Sequence, residues 1–312
     1  MPQLSLASEL ASLGPLSRGA LPPSRAEAVA YCRRLALGHY ENFSVASWLL
    51  PRRLLPHFYA IYAYCRWADD LADEAAGAEE SLAMLDWWQG ELDRCYAGEA
   101  EHPVFVALTA TIREFSIPRE PFARLLAAFR QDQHVTRYAT PEDVLAYCQN
   151  SANPVGHLVL YLARSHDEPC IGLSDSVCTG LQLANFCQDV ARDLDKGRVY
   201  LPGTTLERCS YTETMLARRE YNEAFRQAMR DEVDRAERYL RGGAPLVEWM
   251  PRPLRVDVAL FVEGGLAILR AIRALDYNVW KTRPVISKGS QLKLLAGCWW
   301  RSLRSARKEA YR

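Results

Sequence analysis

Acidic residues at helical spacing, set in segments otherwise apolar on more than one side, constrain this chain more than any other feature. The first cluster reads Arg66-Trp67-Ala68-Asp69-Asp70-Leu71-Ala72-Asp73, and the second Asn185-Phe186-Cys187-Gln188-Asp189-Val190-Ala191-Arg192-Asp193. Neither contains glycine or proline, so both are expected to be helical, and a helix puts residues four apart on one face. Asp69 and Asp73 then share a face, with Arg66 just N-terminal to them. Asn185, Asp189 and Asp193 form a second stripe, which Gln182 extends by a turn. Around the stripes lie Phe58, Ile61, Tyr62 and Tyr64 in one segment and Leu181, Leu183, Ala184 and Phe186 in the other. A helix apolar all round belongs at the centre of its domain. Carboxylates there are costly unless they line a cavity and meet cations.

A single D-x-x-x-D is ordinarily a solvated helix face. Two of them, each interleaved with apolar residues and the second carrying Asn and Gln in register, point instead to metal. Oxygen ligands without a dedicated His or Cys set suit a hard cation. Mg²⁺ takes one or two carboxylates, keeps several waters and draws its remaining ligands from substrate phosphates. Two facing stripes would hold a cluster of Mg²⁺ ions and, through it, a diphosphate. A mostly apolar cavity with a charged mouth suits a long hydrocarbon carrying that head group.

Period-3.6 patterning dominates and β-type alternation is rare, so the fold class is all-α. Helices are expected at 25–38, 52–76, 79–97, 102–115, 119–132, 141–163, 173–195, 212–241, 252–281 and 290–309. Thr140-Pro141-Glu142-Asp143 is a helix start, with Pro at the first position and acids in the first turn. Residues 1–24 read as a flexible tail and 25–312 as one catalytic domain, because no Gly-, Ser- or charge-rich linker divides the chain. Lys plus Arg equals Asp plus Glu, 38 each, which argues against nucleic acid as a partner. The nine cysteines show no C-x-x-C spacing and read as free, mostly buried thiols of a reducing compartment. With no signal-like N-terminus and no run of about 18 apolar residues, a cytoplasmic location is expected.

Together the motifs resemble the squalene/phytoene synthases, which join or rearrange prenyl diphosphates on the all-α isoprenoid-synthase fold. The resemblance runs from about residue 27 to 290. It rests on Leu50-Pro51, Tyr62 to Arg66 leading into Asp69-Asp70-Leu71-Ala72-Asp73, Tyr147-Cys148 with Val155-Gly156, Gln182 to Asp193, and Arg198-Val199-Tyr200-Leu201-Pro202. It implies that Asp69, Asp73, Asn185, Asp189 and Asp193 hold Mg²⁺, with Asp70 adding charge behind them. Arg66, Arg198 and His39 would bind the diphosphate, Tyr147 and Tyr277 face a carbocation, and Gln182 line the cavity near the metals. His39 competes with a reading as a helix C-terminal cap. His57, His134 and His157 have no consistent metal spacing and read as structural or surface residues. Trp87-Trp88 and Trp299-Trp300 read as core or interface anchors.

Departures narrow the resemblance. Where usual members carry Ser-x-Ser-Phe, this chain has His39-Tyr40-Glu41-Asn42-Phe43, keeping only Phe43. Around the Val-Gly it reads Asn150-Ser151-Ala152-Asn153-Pro154-Val155-Gly156. Both patterns resemble one bacterial branch, the hydroxysqualene synthases of hopanoid biosynthesis. Those take presqualene diphosphate from a sister synthase and capture water without a reductant, and a flavin-dependent reductase would act downstream. Asn150 or Asn153 would position the trapping water; equally, Asn153-Pro154 would only shape a helix break. Alternatives are a head-to-head prenyl transferase acting on farnesyl or geranylgeranyl diphosphate, and a non-catalytic assembly factor. The last would show eroded acidic motifs, whereas every carboxylate position here is filled. The basic end, Trp299 to Lys308, is read either as a peripheral membrane contact or as a last helix with a solvated face.

Overall fold

The computed structural model describes residues 6–17, 21–38, 50–287, 289, 291 and 293–298. The backbone divides into two compact units, Met1–His134 and Val135–Arg312. Among the described residues both are helical, and the sole β-type feature is an isolated parallel bridge between Arg137 and Val199.

The first unit contains α1 (Leu6–Leu13), α2 (Arg25–Gly38), α3 (Leu55–Asp73), α4 (Ala78–Ala97), α5 (Pro103–Phe115) and α6 (Glu120–Gln131). Its axis is α3, which packs against α2, α4, α5 and α6. Ala63, Tyr64, Trp67, Ala68 and Leu71 of α3 are buried there. Small residues at 63 and 68 let neighbouring helices approach while Tyr64 and Trp67 fill the space between them. Trp67 stacks on Trp88 at 5.2 Å and 12°, and the Tyr64 hydroxyl donates to the Phe122 carbonyl at 2.9 Å. Residues 1–24 were expected to be a tail, yet Leu6–Leu13 form a helix with Glu9 buried. The segment is too short for a periodic signal, and its Glu9 accepts a hydrogen bond from the Tyr31 hydroxyl.

The second unit contains α7 (Pro141–Ser151), α8 (Asn153–Ala163), α9 (Cys170–Asp195), α10 (Gly203–Arg208), α11 (Glu213–Ala217), α12 (Glu223–Gly243), α13 (Leu246–Trp249) and α14 (Arg252–Ala274). Here α9 is central, touching α7, α8, α12, α13 and α14. A Cβ on Gly180 would lie 2.7 Å from the Leu240 backbone nitrogen, and one on Gly243 2.6 Å from Val177. These glycines set the close approach of α9 and α12. The capping box at Thr140 and Asp143 starts α7 as its sequence predicts.

Three expected helices are shorter or broken. The 141–163 helix breaks at Ala152 (φ −121°, ψ −50°), just before Asn153-Pro154, because Pro154 has no N–H to continue the ladder. The 212–241 helix splits at Arg219 (φ 53°) before Asn222 caps α12. The 252–281 helix ends at Ala274, with Asp276 and Tyr277 in the left-handed region. All nine cysteines are free and most are buried. Among the described residues no helix is long and apolar enough to cross a membrane.

Candidate active site

On α3 the acidic ladder is neutralised from within its own helix. Arg66 Nε donates to Asp70 Oδ2 at 3.0 Å, and Nη1 to Asp69 Oδ2 at 3.4 Å. Arg66 Nη2 also pairs with Asp70 and approaches Glu74 at 4.0 Å. The Asp69 and Asp70 contacts are the i,i+3 and i,i+4 pairs that a helix makes available wherever the residue types allow. Burial pushes the Asp70 carboxyl up to about 7, against the opposing pull of Arg66. Asp69 is about half exposed and Asp73 is exposed, so both present oxygens outward from a helix whose opposite side is core.

The second ladder is held differently. Asp189 lies on α9 with its side chain 13% exposed. Arg283 grips it with two parallel bonds, Nε to Oδ1 at 2.5 Å and Nη2 to Oδ2 at 2.9 Å. Asn185 Nδ2 donates to Asp189 Oδ2 at 3.1 Å, and Arg192 Nε lies 3.9 Å from Oδ1. Gln188 secures the loop that delivers Arg283, donating to the Pro284 carbonyl at 2.6 Å. Asp193 is half-buried, and its carbonyl accepts from the Arg198 N–H at 2.8 Å. That bond places Arg198, itself half-buried, beside the end of the ladder.

An aromatic layer backs this ladder. Phe186 stacks on Tyr200 at 3.9 Å and 7°. Tyr147, 5% exposed, lies 6.1 Å from Phe186, 5.7 Å from Tyr200 and 5.5 Å from Tyr138. Tyr200 is fixed by its neighbour Val199, whose N–H donates to the Thr136 carbonyl at 2.9 Å. The second unit thus brings together Tyr147, Asn185, Asp189, Asp193 and Arg198 of the expected set. Gln182 sits half-buried one turn before Asn185.

Other expected residues fall elsewhere. Tyr277 lies beyond the end of α14, its ring under the Arg230 guanidinium at 5.7 Å, and not in the Tyr147 layer. Asn153 is 4% exposed and its carbonyl oxygen accepts from Thr179 at 3.0 Å. Asn150 is half-buried at the end of α7. His39 and Phe43 lie outside the described residues. His57 and His157 are held by Thr111 at 2.9 Å and Asp175 at 2.8 Å. Arg283, Tyr138 and Tyr200 were not picked out as site residues. Nothing local in the sequence links Arg283 to Asp189, 94 residues earlier.

The donors are hard oxygens, carboxylate and amide, and Asp189 already takes a bidentate cationic partner. That chemistry fits Mg²⁺. Among the described residues no three His, Cys, Asp or Glu side chains converge into a ready-made cage. Mg²⁺ needs none, since it relies on few protein ligands plus phosphate and water.

An all-helical chain with these ladders has the isoprenoid-synthase fold. The chain belongs to the squalene/phytoene synthase family, whose sequence model matches residues 36–290. It is similar to the squalene synthase HpnC from Alicyclobacillus acidocaldarius, with 45% identity and a TM-score of 0.78 over 81% of this chain and 96% of that one. It is 33% identical to the hydroxysqualene synthase of Sinorhizobium fredii over 77% of this chain and 82% of the relative. It is 30% identical to the 15-cis-phytoene synthase of Synechocystis over 88% of this chain and 86% of the relative.

Proposed function

We propose that the chain is a Mg²⁺-dependent hydroxysqualene synthase acting on presqualene diphosphate. The observation that carries the choice within the family is the 33% identity to a hydroxysqualene synthase, which accompanies 45% identity to the HpnC squalene synthase and 30% to a phytoene synthase. Asp69, Asp73, Asn185, Asp189 and Asp193 serve as the Mg²⁺ ligands. Bound Mg²⁺ supplies charge neutralisation for the departing diphosphate. Arg66, Arg198 and Arg283 donate hydrogen bonds to its oxygens, Arg283 by exchanging its bidentate grip on Asp189 for the diphosphate as Asp189 turns to the metal.

Heterolysis of the carbon–oxygen bond sends the electron pair out with diphosphate and leaves a cyclopropylcarbinyl cation, which opens. Tyr147, with Tyr138, Phe186 and Tyr200, offers ring faces worth roughly 1–2 kcal/mol each to a desolvated cation. Water adds to the cation and loses a proton, giving hydroxysqualene with no reductant consumed. Asn150 and Asn153 are the two water-positioning candidates, and Thr179 orients the Asn153 side-chain amide by donating to its oxygen at 3.0 Å.

Incubation with presqualene diphosphate and Mg²⁺, without reductant, is expected to yield hydroxysqualene by mass spectrometry. A parallel reaction with farnesyl or geranylgeranyl diphosphate tests the second reading, which the phytoene synthase relatives favour. Head-to-head products from that reaction, with presqualene diphosphate left unconsumed in the first, would overturn the assignment.

A further inference from the structure

We infer that the N-terminal helix α1 is a positioning element for the first acidic ladder, acting through Glu9, Tyr31 and Trp67. The inference rests on Asp69 and Asp73 being Mg²⁺ ligands. Glu9 and Tyr31 both lie outside the acidic motifs, on α1 and α2.

The contacts form an unbroken line. Glu9 is a carboxylate only 8% exposed. Burying it is costly without a partner, and its partner is the Tyr31 hydroxyl, which donates to Oε2. A tyrosine hydroxyl has one hydrogen, and Glu9 takes it. The oxygen is then left to accept, and Trp67 Nε1 donates to it at 2.9 Å. A charged acceptor at one end polarises the line and strengthens both bonds. Burial, reinforced by Glu9, pushes the Tyr31 hydroxyl well up, so it remains a donor.

Trp67 is 2% exposed, stacked on Trp88 and meeting the His102 ring edge-on at 4.9 Å. It directly follows Arg66 and lies two residues before Asp69. Fixing its indole nitrogen fixes the rotation of α3 about its own axis. A side-chain head rides about 6 Å from a helix axis, so a rotation of about 15° displaces it by roughly 1.5 Å. Mg²⁺ holds its oxygens at about 2.0–2.1 Å with little tolerance. Small rotations of α3 therefore matter to metal binding far more than to packing.

The test measures Mg²⁺-dependent binding of inorganic diphosphate by calorimetry, together with the Mg²⁺ requirement of turnover. Glu9→Ala and Tyr31→Phe are each expected to weaken binding and raise the half-saturating Mg²⁺ about five- to tenfold, with kcat at saturating Mg²⁺ within twofold of wild type. Glu9→Gln keeps an acceptor for Tyr31 and is expected to restore both values to within twofold. Unchanged Mg²⁺ affinity in Glu9→Ala and Tyr31→Phe would overturn the inference. So would a Glu9→Gln protein as defective as Glu9→Ala, or losses that merely follow the folded fraction by far-UV circular dichroism. Absence of Mg²⁺-dependent binding in the wild type would instead sink the metal assignment, and the positioning role with it.

Discussion

The ladder on α3 and the ladder on α9 carry similar groups but are neutralised by different kinds of contact. On α3 the cation is Arg66, three and four residues from Asp69 and Asp70 on the same helix. On α9 it is Arg283, far along the chain from Asp189 and delivered by a loop that Gln188 secures. The first pairing forms as soon as the helix does. The second exists only once α9, the end of α14 and the segment after it have packed. The first ladder is therefore a local feature with a tertiary support behind Trp67, whereas the second adds to its local Asn185 and Arg192 contacts a main cation that only tertiary packing supplies.

Substituting the ladders themselves gives the largest expected effect. Asp69→Ala and Asp189→Ala are each expected to lower kcat/KM on presqualene diphosphate by about 10³-fold, since each removes charge stabilisation at the leaving group. Near-wild-type turnover in either one would break the parallel between the two helices. The arginines sharpen it. Arg283→Ala leaves a mostly buried carboxylate short of its partner and is expected to cost about 1–3 kcal/mol in denaturant unfolding without metal. Arg66→Ala removes only i,i+3 and i,i+4 pairs within one helix and is expected to cost no more than about 1 kcal/mol. Equal losses would remove the distinction between local and tertiary neutralisation.

Close packing behind the second ladder is testable through Gly180. Gly180→Ala drives a methyl into the Leu240 backbone, and a loss of about 1–3 kcal/mol is expected in unfolding. A neutral outcome would mean that α12 moves away at no cost.

Asp257 on α14 supplies the contrasting case, a carboxyl that neither route neutralises. It is 3% exposed, and neither oxygen has a hydrogen-bond partner among the described residues. Burial pushes it up to about 7 from its ordinary 3.8. The folded chain thus holds this proton more tightly than the unfolded chain does. Its contribution to stability is fully present below about pH 4 and is lost as pH rises through about 7. Asp257→Asn is expected to flatten Tm against pH over that interval; an unchanged slope would place the titration elsewhere.

Much of this was legible in the residues. Helical periodicity identifies α3 and α9, and the spacing of Asp69 with Asp73 and of Asn185, Asp189 and Asp193 identifies the ladders. The capping box at Thr140 marks the start of α7. Boundaries set by single residues were harder: the break at Ala152 and the left-handed Asp276 and Tyr277 interrupt patterns whose apolar period continues across them. Tyr277 shows the consequence, since the turn carries its ring under Arg230.

Composition and order along the chain were enough for the helices, their acidic faces and the family, because these depend on neighbours within one or two turns. Folding in three dimensions chose the partners: Arg283 for Asp189, Tyr138 and Tyr200 for Tyr147, and Glu9 for Tyr31. Most of these pairings join residues far apart along the chain. No local propensity encodes them; they form because a buried charge or hydroxyl must find a partner, and only packing decides which one is within reach.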